Sequence, residues 1–263
     1  MPLTLLFITQ DDPFYVRIFF EEFLSAYPHK EEIKGVAMGE ALGKKNTLAL
    51  ANQMYNFYGA AGFFRVGAKY ALNKILRHIP ASMAGNGGYS IGQLFKRYKI
   101  PVTHEADMRS SSFLDAVEKL NVDVIVSVAA PVIFREPLIR LAKKGCINIH
   151  NGKLPKYRGM LPNFWQMYYN EKTAGITVHE INPKIDDGRI ILQRDVDILP
   201  SDTLDSLIKR TKRIGARVMI EALDAIRSDC VQYKENNAVE GSYFSFPTRE
   251  DIREFKSRGK RLL

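Results

Sequence analysis

One stretch limits the possible folds more than any other: Val122-Asp-Val-Ile-Val-Ser-Val128, an almost unbroken β-branched run. A strand with one wet face alternates apolar and polar residues, whereas a strand covered by helices on both faces has no polar side to show. The run therefore predicts the central strand of a parallel sheet. The start of the chain agrees. Leu3 to Thr9 reads as a first strand, and Gln10-Asp-Asp-Pro-Phe14 as a turn in which Asp11 or Asp12 caps a helix, with Pro13 near its first turn. Val16, Phe19, Phe20, Phe23 and Leu24 then fall at helical spacing, and Ile33 to Met38 is the next strand. Strand, helix, strand opens a doubly wound, mostly parallel α/β sheet of the Rossmann-like kind.

Further along, Ser90 is placed to cap a helix containing Leu94, Ile100 to Val102 reads as a short strand and Phe113 to Leu120 as a helix. After the central strand, Ala130 to Arg135 is an exit loop. Pro137 to Lys144 reads as a helix closed by Gly145, and Cys146 to His150 as a strand. Gly175 to Ile181 and Arg189 to Val196 form a strand pair around a loop. A long helix is expected over Asp202 to Arg227, started by Ser201 or Asp202. The polar tail from Val231 holds one strand, Tyr243 to Phe246, and a basic helix after Pro247. The expected organisation is a main domain over 1–200, with a helical insertion over 40–88, and a short C-terminal extension over 201–263.

The formal net charge is +9, and nine positive charges fall in one segment: Ala41 to His104 contains nine Lys and Arg and no Asp or Glu. Such a field favours an anionic partner, although a solvated basic face explains the charge equally well. Within it, Met54 to Ile79 reads as one or two amphipathic helices. Packing against the domain or a subunit partner, with room for a basic side facing substrate, is the favoured reading; a substrate lid or a basic membrane-surface helix is the other. Ala84-Gly-Asn-Gly-Gly88 lacks a full phosphate-binding fingerprint and reads as a plain turn. Cys146 and Cys230 show no metal or disulfide spacing. Met1 to Ile8 reads as a buried strand rather than a leader, and no apolar run reaches membrane-spanning length, so a cytoplasmic enzyme without a transmembrane segment is expected.

The chemistry is concentrated late in the chain. Asn148 and His150 lie two apart in a strand, which points both side chains to one face, roughly 6.5 Å apart along it. They precede the loop Asn151-Gly-Lys-Leu-Pro-Lys-Tyr-Arg-Gly159 and so sit at the carboxyl end of a strand, where open α/β sheets bind ligands. Asp186-Asp187-Gly188 follows a strand containing Thr177 and His179, and the turn can swing a carboxylate back to His150. An amide, an imidazole and a carboxylate are what acyl transfer to an amine needs: an oxyanion donor, a proton carrier and a group that orients the carrier. No Ser or Cys elbow is present, which favours direct attack by a substrate amine over an acyl-enzyme.

Gly145-Cys-Ile-Asn-Ile-His-Asn-Gly-Lys-Leu-Pro-Lys-Tyr-Arg-Gly159 with Pro162 and Trp165, then Gly175-Ile-Thr-Val-His179 and Ile185-Asp-Asp-Gly188 with Ile190-Ile-Leu-Gln193, resembles the 10-formyltetrahydrofolate-dependent formyltransferases. The resemblance is strong over 122–200, looser over 1–38 and absent over about 40–88. It implies that Asn148, His150 and Asp186 are catalytic and that 10-formyltetrahydrofolate is the formyl donor, with no metal. It implies a pterin site formed by Val132, Ile133 and Phe134, with Ile139 nearby, and by Asn182, Pro183, Lys184 and Ile185. The first loop, with Gln10 and Asp11, resembles that of the methionyl-tRNA members and is expected to face substrate. Where the family usually has Pro-Ser-Leu-Leu-Pro, this chain has Asn151-Gly-Lys153-Leu-Pro155, a departure that reshapes the acceptor pocket and makes Lys153 a substrate-binding candidate. Arg158 either orients that loop through its backbone carbonyls or contacts an acceptor phosphate. His179 either faces the triad or is an ordinary strand residue. Asp187 reads as a solvated turn residue, Trp165 and Tyr168-Tyr169 as helix packing, and His29, His78 and His104 as surface residues.

The acceptor is harder to read. Methionyl-tRNA enzymes carry a C-terminal barrel that needs more chain than remains after Asp197, and glycinamide ribonucleotide enzymes carry a Gly-rich loop directly after strand one. The expectation is a small anionic acceptor amine, most simply an amino-sugar nucleotide, met by the basic segment. The alternatives are methionyl-tRNA or another amine, water (a formyltetrahydrofolate hydrolase), and a non-catalytic protein that binds nucleic acid or membrane. A homodimer is compatible with the sequence.

Overall fold

The computed structural model describes residues 2–12, 14–39, 47–79 and 90–263. Among these residues the strands β1 (Leu5–Gln10), β2 (Ile33–Gly39), β3 (Val102–His104), β4 (Val124–Val128), β5 (Cys146–His150), β7 (Thr173–Glu180) and β8 (Ile190–Asp197) form one sheet in the order β3-β2-β1-β4-β5-β7-β8. The first five are parallel, and β7 and β8 run antiparallel at the edge. Two short strands, β6 (Arg158–Gly159) and β9 (Tyr243–Phe244), pair separately. Chain order reverses between β1 and β4, as in a doubly wound sheet.

Period-two alternation decides which residues face which layer. Leu5 and Phe7 of β1, Val124, Val126 and Val128 of β4, and Ile147 and Ile149 of β5 enter one core cluster. Against it pack α1 (Val16–Ala26), through Phe19, Phe20 and Phe23, and α7 (Leu204–Arg227), through Val218, Met219 and Leu223. Leu6, Ile8, Ile125 and Cys146 face the other way and meet α4 (Ser111–Leu120) through Phe113 and Val117. Ile147 and Ile149 thus turn toward the α1–α7 layer, and Asn148 and His150 take the opposite face, with Cys146. A Cβ on Gly215 of α7 would lie 2.9 Å from Ile149 Cδ1, so the missing side chain lets the helix close onto β5.

Several boundaries differ from expectation. The helix expected over Pro137–Lys144 is the short α5 (Glu136–Ile139), because Lys143 and Lys144 donate their N–H groups to Val122 and Asp123 carbonyls instead of continuing the helical ladder. The long helix α7 is capped by Thr203, not Ser201 or Asp202: Thr203 and Ser206 cap each other, while Asp202 accepts from Leu199 N and Arg210. It belongs to the main core, on the far side of the line expected at residue 200. Ser90 does cap α3 (Ile91–Arg97), reciprocally with Gln93. Asp12, rather than Asp11, accepts from the first amides before α1 (Phe14 N, 2.7 Å). Pro13 and the 84–88 loop lie outside the described residues.

The insertion forms α2 (Thr47–Leu76), two helical stretches that meet at Gly59, where φ is +73°. Its first stretch packs as expected: Phe57 joins a second cluster with Phe164 and Trp165 of α6 (Pro162–Tyr168) and with Ile252 and Phe255 of α8 (Arg249–Ser257). Trp165 and Tyr168 are packing residues of that cluster. The second stretch touches the body but buries none of residues 60–79. No described helix is long and apolar enough to cross a membrane.

Candidate active site

The carboxyl end of β5 and the β7–β8 turn meet in one place. Asp186 lies in that turn with φ +50°, a left-handed conformation that Asp tolerates better than most residues. Its carboxylate accepts from Gly159 N (2.9 Å) and stands 3.6 Å from both His150 Nδ1 and His179 Nε2. Burial alone would raise Asp186, but His150, His179 and the Gly159 N–H outweigh it and hold the carboxyl well below the usual carboxylate range.

His150 is 7% exposed. Its Nε2 lies 2.7 Å from the Tyr157 carbonyl, which can only accept, so the neutral ring carries its proton there and leaves Nδ1 free toward Asp186. Burial pushes the imidazole below its ordinary value of 6.5, against the pull of the Asp186 charge. His150 is therefore neutral near pH 7, and a proton arriving at Nδ1 would find a carboxylate beside it.

His179 stands opposite Asn148 in the β5–β7 ladder and turns its ring toward the Asp186 carboxylate. It is buried, its Nδ1 donates to the Glu180 carbonyl (2.7 Å), and Nε2 is left to accept from Asn148 Nδ2 at 3.2 Å. This fixes the amide and leaves its second N–H for a ligand. Asn148 remains half-buried and so accessible. The cluster can hold an acyl oxygen with Asn148 and take up a proton with His150.

The turn bearing Asp186 is clamped from the tail. Asn236 Nδ2 donates to the carbonyls of Asp186 (3.0 Å) and Gly188 (2.9 Å), while Arg158 donates to the Asn236 carbonyl and Oδ1. Arg158 also pairs with Asp187 at 2.9 Å. Asp187 is thus a mostly buried ion-pair partner, not a solvated turn residue. Arg158 commits its terminal nitrogens to this clamp. Lys153 points outward to Asp195 (2.5 Å), on the β8 edge. Nothing in the sequence marked Asn236, which sits in an irregular polar stretch, or Lys212 on α7, whose pKa burial lowers against the pull of the Asp12 charge and whose own charge lowers His150.

The expected donor residues fall on the connections that follow β4 and β7. Ile133, on the loop after β4, and Ile185, beside Asp186, are large apolar side chains left 45% and 44% exposed. Val132 and Ile139 are partly buried against the core, and Phe134 is itself core. Asn182 Oδ1 accepts from Lys184 N and shapes the other loop around Pro183. Gln10 ends β1, two strands from β5 and so about 10 Å away. Asp11 is ion-paired with Arg77 and lines a pocket of about 510 Å³ with Met38, Lys96, Lys99 and His104, bounded by β3 and the residues that lead into it.

The family profile described as formyl transferase matches residues 77–223, more than half of the chain. The chain belongs to the formyl transferase family. A methionyl-tRNA formyltransferase of Desulforamulus reducens is 34% identical over 137 residues, 52% of this chain and 43% of the relative. The aligned stretch thus spans less than half the length of that relative, and about half or less in others of the same name. Among solved structures, a phosphoribosylglycinamide formyltransferase from Anaplasma phagocytophilum superposes with a TM-score of 0.61 over 93% of this chain and all of the other, at 16% identity. A sugar N-formyltransferase from Shewanella gives 0.55 over 92% and 76%, at 18% identity. These two likenesses bear on the fold, which is the formyltransferase fold.

Proposed function

We propose that this chain moves a formyl group from 10-formyltetrahydrofolate to the primary amine of an amino-sugar nucleotide, in the cytoplasm. The observation that carries the transfer is the tethered cluster: Asn148 fixed by His179, and a neutral His150 whose free nitrogen faces Asp186. The donor supplies an activated formyl carbon. Ile133 and Ile185 hold its flat ring system between the two loops, and their exposed apolar faces fit such a ring. Asn148 then stabilises negative charge developing on an acyl oxygen. His150 takes up the proton that the attacking amine releases and returns it to the departing folate nitrogen as the formyl carbon–nitrogen bond to the carrier breaks; in between, the imidazolium lies between the Tyr157 carbonyl and the Asp186 carboxylate, both of which favour it.

The anionic acceptor is supported by the pocket beyond β1. Met38 and Ile100 give it an apolar floor, and Lys96, Lys99, Arg77 and His104 line it with groups that attract phosphate. It lies three strand positions from β5, about 14 Å away, a span suited to an extended acceptor. A methionyl-tRNA acceptor is the second reading, favoured by the names of the relatives aligned over half the chain.

The test is tetrahydrofolate release from 10-formyltetrahydrofolate, measured alone and with amino-sugar nucleotides, methionyl-tRNA or glycinamide ribonucleotide. Release that depends on an amino-sugar nucleotide, with its formamido product, supports the proposal. Dependence on methionyl-tRNA moves it to the second reading. Equal release without any acceptor means hydrolysis, and no release with any of them overturns the transfer.

A further inference from the structure

The second stretch of α2 presents an apolar stripe to the outside. At about 100° per residue, Phe64, Gly67, Ala68, Ala71, Leu72 and Ile75 fall within an arc of about 140°. Phe64 is 72% exposed, Leu72 54% and Ile75 67%. A Cβ built on Gly67 meets nothing within 4 Å. The opposite side holds the contacts to the body: the Lys69 ammonium lies over the Phe14 ring, Tyr70 meets Phe14, and Arg77 pairs with Asp11. A surface helix ordinarily turns its apolar stripe inward, and this one turns it to solvent.

Charge narrows what covers the stripe. Arg65 and Lys74, both exposed, flank it on its two sides, and the chain carries no acidic residue from 41 to 104. A second copy docked through the same face would bring these cations against their own counterparts. A surface that is negative at its boundary and apolar beneath matches both the stripe and its flanks. We propose that residues 60–79 seat the protein on an anionic lipid bilayer surface, with Phe64, Leu72 and Ile75 entering the headgroup boundary and Arg65 and Lys74 on the lipid phosphates. The site at β5 and the reading of its chemistry do not enter this inference.

Flotation of the full chain with vesicles tests it. Binding is expected to an equimolar phosphatidylcholine–phosphatidylglycerol bilayer, and at least tenfold less to phosphatidylcholine alone. The variant Phe64→Ser/Leu72→Ser/Ile75→Ser is expected to lose binding tenfold or more, and Arg65→Gln/Lys74→Gln to lose the preference for anionic lipid. Both alter exposed positions only, so unchanged thermal melting is expected and separates loss of binding from loss of fold. No binding by the unaltered chain, or equal binding by all three proteins, overturns the proposal. So does a concentration-dependent dimer, seen by light scattering and abolished by the serine variant, without vesicle binding.

Discussion

Gly152 lies against the His150 ring: a Cβ at residue 152 would stand 2.6 Å from His150 Nε2 and 2.8 Å from the Tyr157 carbonyl that this nitrogen meets. The glycine that departs from the usual family loop is therefore what allows this His150 placement. Gly152→Ala is expected to push the ring off the Tyr157 carbonyl. Since misplacement by about 1 Å costs up to about 100-fold, kcat should fall by roughly 10- to 100-fold with KM for the acceptor little changed. An alanine variant with unchanged kcat would show that the contact is idle.

His179 should act through Asn148. Asn148→Ala removes the donor itself and is expected to lower kcat by about 100- to 1000-fold. His179→Ala frees the amide to rotate and should cost less, on the order of 10- to 100-fold. The double variant should be little worse than Asn148→Ala alone, because the tether has nothing left to hold. Additive losses in the double-mutant cycle would separate the two residues.

The pH dependence has a definite sign. His150 must be neutral to accept a proton, and burial lowers its pKa from 6.5, so kcat/KM should fall toward acid with a midpoint below 6.5. The Asp186 charge opposes that shift; Asp186→Asn should move the midpoint lower still while reducing the rate. Stability follows by linkage. Below pH 6.5 an unfolded His150 binds a proton that the folded one resists, so folding stability erodes as pH falls from there. Asp186, held low in the folded state, contributes stability above about pH 3.8 that is lost on further acidification. An acid limb centred above 6.5 would contradict the assignment of His150.

Asn236 is expected to matter for stability and rate together. Asn236→Ala strips the Asp186 and Gly188 carbonyls of their donor and leaves Arg158 with one partner fewer. Unsatisfied buried groups of this kind cost about 1–3 kcal/mol each, which thermal unfolding should register. If Asp186 is mispositioned as well, the acid limb of the rate profile should shift along with the melting temperature.

Much of this was legible in the residues. The continuous β-branched run at 122–128 placed the centre of the sheet because a doubly covered strand leaves little room for polar side chains. Period two put Asn148 and His150 on one face of β5, and the family motifs carried Asp186. The clamp was not legible. Asn236 acts through hydrogen bonds that bring residues 48 and 50 positions apart together, from a stretch with no periodicity. Asp187 was misread because its partner, Arg158, lies on a different loop, and a turn sequence gives no sign of a distant guanidinium. Apolar content in the insertion suggested packing throughout, yet composition cannot tell an inward stripe from an outward one. Gly59 breaks the helix between a stretch that buries Phe57 and one that buries no residue.

The clamp also bears on how the protein can be shortened. The family profile ends at residue 223, and the residue that grips the Asp186 turn lies beyond it, at 236. A fragment trimmed to the recognised family boundary would keep Asn148, His150 and Asp186 and lose the amide that holds the turn in shape. Such a fragment would contain every residue of the motif, yet the geometry between them would no longer be enforced.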